Sequence, residues 1–137
     1  MIKAVCFDLD DTLCDYEKSA RISRRKMFNY AVSRCNGVVW SQLQRAYKEC
    51  LNAMIEEQGG EAVFARKSGW EVRLELIGRT LHACGIDDPQ LVKELVKLYS
   101  EQRRRTLKLF PDALRVLSSL HGSKGDHRRG RCCKPNC

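Results

Sequence analysis

The feature that most constrains the fold of this chain is an apolar N-terminal segment that runs directly into acidic residues. Ile2 to Phe7 is apolar except for Lys3, which is typical of a short strand buried on both faces of a parallel sheet. Asp8 and Asp10 follow at once, and two acids spaced i and i+2 at the end of a strand can point the same way. Open α/β sheets bind their ligands at that edge. Because grouped carboxylates repel each other, the pattern predicts a cation or a reaction there.

The order Asp8-x-Asp10-x-Thr12, flanked by Phe7 and Leu13, resembles the first motif of the haloacid-dehalogenase-like hydrolases. The resemblance implies an α/β fold, with a Rossmann-like core and a helical cap, and Mg²⁺-dependent hydrolysis of a small phosphorylated metabolite. It implies that Asp8 is the nucleophile that forms an aspartyl-phosphate and that Asp10 is the general acid and base. Thr12 would steady the loop and bind substrate, while Mg²⁺ would bind at Asp8 and Asp10. A haloacid dehalogenase, which needs no metal, and a simple acidic turn after an edge strand are the alternatives.

The charges involved explain why a metal is implied. A carboxylate that attacks a phosphate dianion meets repulsion of roughly 4 kcal/mol per charge pair at about 4 Å in a partly screened site. A hard, oxygen-binding cation such as Mg²⁺ lowers that barrier when it lies between the two groups. Covalent catalysis then divides one difficult displacement into two easier ones.

The middle of the chain has helical periodicity, which predicts five helices. Their expected starts carry capping or boundary signals, which are Asp15, Trp40-Ser41, the capping box Ser68 to Glu71, Asp87-Asp88-Pro89, and Pro111. A helical insert after the first motif is what the resemblance implies for cap-bearing members of the family, and Leu109 to Leu117 resembles their return helix. We therefore expect four segments: 1–15, first core strand and catalytic loop; 16–106, helical cap; 107–121, return helix of the core; 122–137, tail.

The tail differs in composition from the rest of the chain. Residues 1–120 hold 20 basic and 16 acidic side chains, and the last 17 residues hold five basic side chains and one acidic one. No Val, Ile, Leu, Phe, Met, Trp or Tyr follows Leu120, so we expect residues 122–137 to be disordered. The tail is either genuine or an out-of-frame reading of a second core strand, and the nucleotide sequence of the gene decides between them. It lacks the aromatic residues typical of nucleic-acid binding, which disfavours that function. A zinc site from His127, Cys132, Cys133 and Cys137 is disfavoured because Cys132 and Cys133 are adjacent.

The composition also bears on location. No apolar run approaches the length of a membrane span, and Ile2 to Phe7 is too short for the apolar core of a signal peptide. We therefore expect a cytoplasmic protein in which most of the eight cysteines are reduced.

Three later motifs of the family are not identifiable, and only one core strand is present in the sequence. They are the strand ending in Ser or Thr, the lysine, and the final acidic pair that completes the metal shell. The sequence leaves open whether this is a genuine short protein or a truncated or frameshifted product. In either case we expect a poorly ordered first strand and little or no hydrolase activity. A non-catalytic helical interaction protein remains the main alternative. The basic run Arg24-Arg25-Lys26 fits either a contact with an anionic substrate or a solvated helix face.

Overall fold

The computed structural model describes residues 4–57 and 67–122, with side chains described through residue 120. Within this part of the chain there are five α-helices: α1 (Tyr16–Arg34), α2 (Trp40–Glu57), α3 (Gly69–Ala83), α4 (Pro89–Thr106) and α5 (Ala113–Gly122). The first four form a bundle in which α1 packs mainly on α4, α2 packs on α3, and α3 packs on α4. No helix in the described ranges is long and apolar enough to cross a membrane.

The α/β fold expected from the N-terminal pattern is wrong for the described residues, which contain no β-strand. Residues 4–9 have no regular secondary structure, and the side chains of Val5 and Leu9 are 55% and 57% exposed. The only ladder-type contacts in the described ranges are two isolated bridges, which link Asp10 with Cys14 and Cys14 with Leu109. A strand satisfies its backbone groups through neighbouring strands, and none of the described residues supplies one.

The helix starts follow the local signals in the sequence. The side chain of Asp15 caps α1 by accepting a hydrogen bond from the Lys18 N–H at 3.3 Å. Ser68 and Glu71 form the complete capping box of α3. Asp88 caps α4 with Pro89 as its first residue, which confirms the predicted boundary.

One predicted helix start shifts slightly, and one predicted helix end is not described by the structure. The fifth helix begins at Ala113 rather than at Pro111, because Pro111 and Asp112 form a turn that precedes it. The second helix begins at Trp40, and its predicted end at Gly59-Gly60 lies outside the described residues.

The larger of two buried apolar clusters joins all four helices of the bundle, and the smaller one, formed by Met54, Val72 and Leu76, joins α2 to α3. The buried members of the larger cluster come from all four bundle helices and are Met27, Phe28, Ala31, Leu43, Ile77, Leu81, Leu91, Leu95, Val96 and Tyr99. The buried hydroxyl group of Ser19 on α1 is hydrogen-bonded near the end of the bundle, where it lies 2.9 Å from the hydroxyl of the half-buried Thr106 on α4. Such pairing avoids the cost of an unsatisfied buried hydroxyl and ties α1 to α4 where the chain enters and leaves the bundle.

The segments before and after the bundle lie side by side. The Asp15 N–H donates to the Lys108 carbonyl at 2.9 Å, and the Phe110 N–H donates to the Leu13 carbonyl at 3.0 Å. Cys14, which is 3% exposed, is buried at this crossing. The acidic loop is therefore joined directly to the segment that leads into α5.

Candidate functional site

The acidic residues lie on a tight loop that immediately precedes α1. The N–H groups of Leu13 and Cys14 both donate to the Leu9 carbonyl, at 3.0 and 3.1 Å. The Asp11 N–H donates to the Cys14 carbonyl at 2.9 Å, and Asp11 has the left-handed backbone angle φ of 55°. Asp tolerates this conformation better than most residues.

The loop divides its acids into two groups. Asp11 and Asp15 serve the start of α1, since Asp11 Oδ1 accepts a hydrogen bond from the Glu17 N–H at 2.9 Å and Asp15 is the N-cap. Anionic groups at a helix N-terminus are favourable because they complement free N–H groups and the helix dipole. Neither Asp8 nor Asp10 has such a contact with the start of α1. The two acids singled out by the motif are therefore those free of helix capping.

The structure places Asp8 and Thr12 together. The Thr12 hydroxyl lies 3.5 Å from Asp8 Oδ2, at the outer limit of a hydrogen bond, and both residues are exposed. This contact is in keeping with a threonine that steadies the loop. At 3.5 Å this hydrogen bond contributes little to the stability of the loop on its own.

Asp10 faces the helical bundle. A cleft of about 450 Å³ lies between the loop and the helices, and its lining includes Asp10, Tyr16, Arg24, Tyr47, Arg73 and Tyr99. Asp8 and Thr12 do not line this cleft. The structure thus brings Asp10 to the mouth of a cleft and leaves Asp8 on the open side of the loop.

Two arginines in the cleft are positioned by tyrosine rings. The Arg24 guanidinium lies 5.6 Å from the centre of the Tyr47 ring, and the Arg73 guanidinium lies 5.4 Å from that of Tyr99. Arg24 also approaches Glu17 Oε1 at 3.8 Å. Cation–π contacts hold the guanidinium planes without neutralising their charge. Burial raises the pKa of Tyr47, so this ring keeps its proton at neutral pH.

Cys14 lies beside the acidic residues but is not suited to nucleophilic chemistry. Burial, followed by the neighbouring Asp10 and Asp11 carboxylates, raises the pKa of its thiol. Its Sγ donates to the Leu9 carbonyl at 3.3 Å. A buried thiol with a raised pKa is an inert packing group, whereas reactive cysteines have lowered pKa values.

The described residues do not form a complete metal site. Nowhere in residues 4–57 and 67–122 do three or more His, Cys, Asp or Glu side chains gather as ion ligands. Asp8 and Asp10 are two exposed carboxylates, and Mg²⁺ bound by so few protein groups keeps several waters and needs further oxygen ligands. The resemblance-derived Mg²⁺ site is therefore not satisfied by these residues alone. The suggested zinc ligands and the basic tail lie outside the described part of the chain.

Sequence reasoning found part of this site and missed the rest. Arg24 was within the basic run that was considered for anion binding, but Arg73 and Tyr99 carry no local signal. They reach the cleft because α3 and α4 pack on the first two helices, and only that packing reveals their position. Comparison with known proteins adds no information here, since no family model, curated protein or solved structure matches the chain.

Proposed function

We propose that this chain carries the nucleophile loop and the helical cap of a hydrolase for small phosphate monoesters. The observation that carries the proposal is the position of the Asp8-x-Asp10-x-Thr12 loop, whose Asp10 lines a cleft that also contains Arg24 and Arg73. Glu17 also lines the cleft and pairs with Arg24, but no described carboxylate lies within 4.0 Å of the Arg73 guanidinium, which therefore suits a ligand that is itself an anion. Arginine is well matched to phosphate because its donors form a planar fork.

The proposed reaction has two steps. In the first, an Asp8 carboxylate oxygen bonds to phosphorus while the ester P–O bond breaks, and Asp10 gives its proton to the departing alkoxide. In the second, Asp10 takes a proton from water as the water oxygen attacks phosphorus. The aspartyl-phosphate bond breaks, which releases inorganic phosphate and regenerates Asp8.

Mg²⁺ is the ion that the motif implies for this chemistry, where it would reduce the repulsion between Asp8 and the phosphate. The described residues offer only Asp8 and Asp10 for it, so other groups must complete its shell. For this reason we expect the isolated 137-residue chain to have little or no turnover.

The proposal is tested by a chimera. Residues 1–120 are joined to the sheet-forming part of a helical-cap phosphatase of the family that the motif resembles, and turnover of an aryl phosphate is measured with Mg²⁺. We expect turnover, and we expect Asp8→Asn to lower it by roughly 10³-fold or more, because a missing nucleophile is not replaced by the remaining groups. Asp11→Asn is the matched control, since it removes one carboxylate from the same loop and Asn also tolerates the left-handed backbone. A chimera that folds by circular dichroism yet hydrolyses no phosphate ester contradicts the proposal.

A second measurement uses the chain as it exists. Inorganic phosphate is titrated into the purified protein while the aromatic proton resonances of Tyr47 and Tyr99 are followed by NMR. We expect saturable shifts that are lost in the variant Arg73→Gln and kept in Arg34→Gln, a matched change on α1 outside the cleft. Shifts that persist unchanged in Arg73→Gln would show that the cleft does not bind the anion.

A second candidate function is protein interaction through an apolar surface. Eight large apolar side chains are exposed in the two segments that flank the bundle: Val5, Phe7, Leu9, Leu107, Leu109, Leu114, Val116 and Leu120. The backbone groups of residues 4–8 make no hydrogen bond with any other described residue. Exposed apolar patches and open extended segments of this kind are typical of binding surfaces.

The occupant that we propose for this surface is a second copy of the chain. Two copies can pair residues 4–8 about a twofold axis, which satisfies the same backbone groups in each. Light scattering on the purified 15.8 kDa chain should therefore show a dimer, and the variant Leu114→Lys should be a monomer. Leu51→Lys is not a suitable variant, because Leu51 packs against a buried cluster of the bundle. A wild-type chain that is monomeric at high micromolar concentration contradicts this second candidate.

A further inference from the structure

A groove on the outer side of the bundle gathers positive charge next to an exposed tryptophan. It lies between α1 and α2, has a volume of about 730 Å³, and is lined by Arg21, Arg24, Arg25, Phe28 and Trp40, among others. None of the described residues that line it is acidic. Its volume lies within the range of roughly 300–1,000 Å³ that is usual for small-molecule sites.

Two of the three arginines of the groove, Arg21 and Arg25, have no carboxylate partner in the described chain, whereas Arg24 pairs with Glu17 at 3.8 Å. Arg21 and Arg25 are exposed, and no described carboxylate lies within 4.0 Å of either guanidinium. They are spaced i and i+4 on α1, so they lie one turn apart on the same helix face. Like charges in this arrangement disfavour the helix. An anion that bridges the two guanidinium groups removes that repulsion and uses their fork-shaped donors.

The tryptophan supplies a fixed, flat surface beside these charges. The Trp40 ring is 37% exposed, and the buried Phe28 packs against it edge-on, with ring centres 5.9 Å apart and an interplanar angle of 77°. Phe28 also contacts Tyr47 in the same manner at 5.6 Å. The indole is thus anchored to the core on one side and open on the other. A planar heteroaromatic ring gains most from stacking on such a surface.

We propose that this groove binds a nucleotide, with the phosphate on Arg21 and Arg25 and the base against Trp40. Both of these groups, a phosphate and a base, occur in free nucleotides and in the nucleotides of a single strand of nucleic acid. The site shares only Arg24 with the cleft that contains Asp10, and it does not depend on the hydrolase proposal.

Isothermal titration calorimetry on the purified full chain tests the proposal with four small probes: ATP, AMP, inorganic pyrophosphate and adenosine. We expect saturable binding of ATP and AMP, with pyrophosphate and adenosine each binding roughly tenfold or more weakly than ATP, because each offers only one half of the recognition. The double variant Arg21→Gln/Arg25→Gln should weaken ATP binding by about tenfold or more. Trp40→Leu should weaken ATP binding but leave pyrophosphate binding unchanged.

Matched controls separate this site from general charge and from the Asp10 cleft. Arg34→Gln/Arg45→Gln removes the same amount of charge, one arginine from α1 and one from α2, at positions outside the groove, and Arg73→Gln alters the other cleft. Neither control should change ATP affinity. A thymidine oligonucleotide shows whether the natural ligand is a free nucleotide or a single strand of nucleic acid. An oligonucleotide that binds much more tightly than ATP indicates a single strand, and one that binds equally or more weakly indicates a free nucleotide. The proposal is overturned if ATP does not saturate by about 10 mM, a range that corresponds to negligible specific affinity. It is also overturned if both double variants weaken ATP binding equally, or if pyrophosphate binds as tightly as ATP.

Discussion

Replacing Leu95 by alanine tests whether the chain forms the helical bundle. Leu95 lies on α4, is 1% exposed and belongs to the core shared by the four bundle helices. The substitution removes three buried carbon atoms, and each contributes roughly 0.8 kcal/mol of hydrophobic stabilisation, which gives a loss of about 2.4 kcal/mol. The remaining cavity raises the expected loss in the free energy of unfolding to about 3–4 kcal/mol.

Urea unfolding followed by circular dichroism measures that loss. With a slope of about 2 kcal/mol per molar urea for a domain of this size, the midpoint should fall by roughly 2 M. Leu114→Ala is the matched control, because Leu114 also lies in a helix but is 60% exposed. It should change the free energy of unfolding by less than about 0.5 kcal/mol when measured at low protein concentration. Equal effects of the two substitutions would refute the proposed packing of α4 against the other helices.

Four further predictions concern local features. Ser68→Ala removes the capping box of α3 and should lower the free energy of unfolding by about 1 kcal/mol in the same urea assay, whereas no measurable change would argue against the cap. The Asp87 carboxylate lies 2.7 Å from His82 Nδ1 and raises the pKa of His82 above its ordinary value of 6.5. The pair therefore stabilises the folded state at pH values below 6.5, and this stabilisation is lost as the pH rises through the raised pKa of His82. Asp87→Asn should therefore lower the unfolding midpoint more at about pH 5.5 than at about pH 9, and a pH-independent difference would contradict this. Cys14 should react with iodoacetamide more slowly than the exposed Cys6 in the native protein, and equally in urea, as judged by peptide mass spectrometry. The purified 137-residue chain should show little or no turnover of an aryl phosphate, and Mg²⁺-dependent turnover abolished by Asp8→Asn would disprove this.

The acidic loop shows which features of the site follow from the motif and which follow from the packing around it. The sequence pattern singles out Asp8 and Asp10 from four nearby acids, and the structure shows the other two, Asp11 and Asp15, bonded to the start of α1. The roles of Asp8 and Asp10 stay a prediction. The pattern contained nothing about which way each side chain faces. Only the packing of the loop beside the bundle places Asp10 at the cleft and leaves Asp8 outside its lining.

The starts of the helices were readable from the sequence because capping is a local interaction. Ser68 and Glu71 exchange hydrogen bonds within four residues, and Asp88 meets the N–H groups two and three residues ahead. Helical periodicity is a local signal for the same reason, since side chains three and four residues apart share one face. Helical hydrogen bonds are made within the segment that carries them, so distant parts of the chain do not have to be known.

The strand and the cleft could not be settled in this way, because both depend on partners far away in sequence. Residues 4–7 have the apolar composition of a buried strand, but a strand forms only beside another strand, and the described chain brings none to it. Arg73 joins Asp10 in the cleft through the packing of α3, across more than 60 residues of chain. Local sequence therefore determined where the four bundle helices begin, while the conformation of the N-terminal segment and the charges around Asp10 were decided by tertiary contacts.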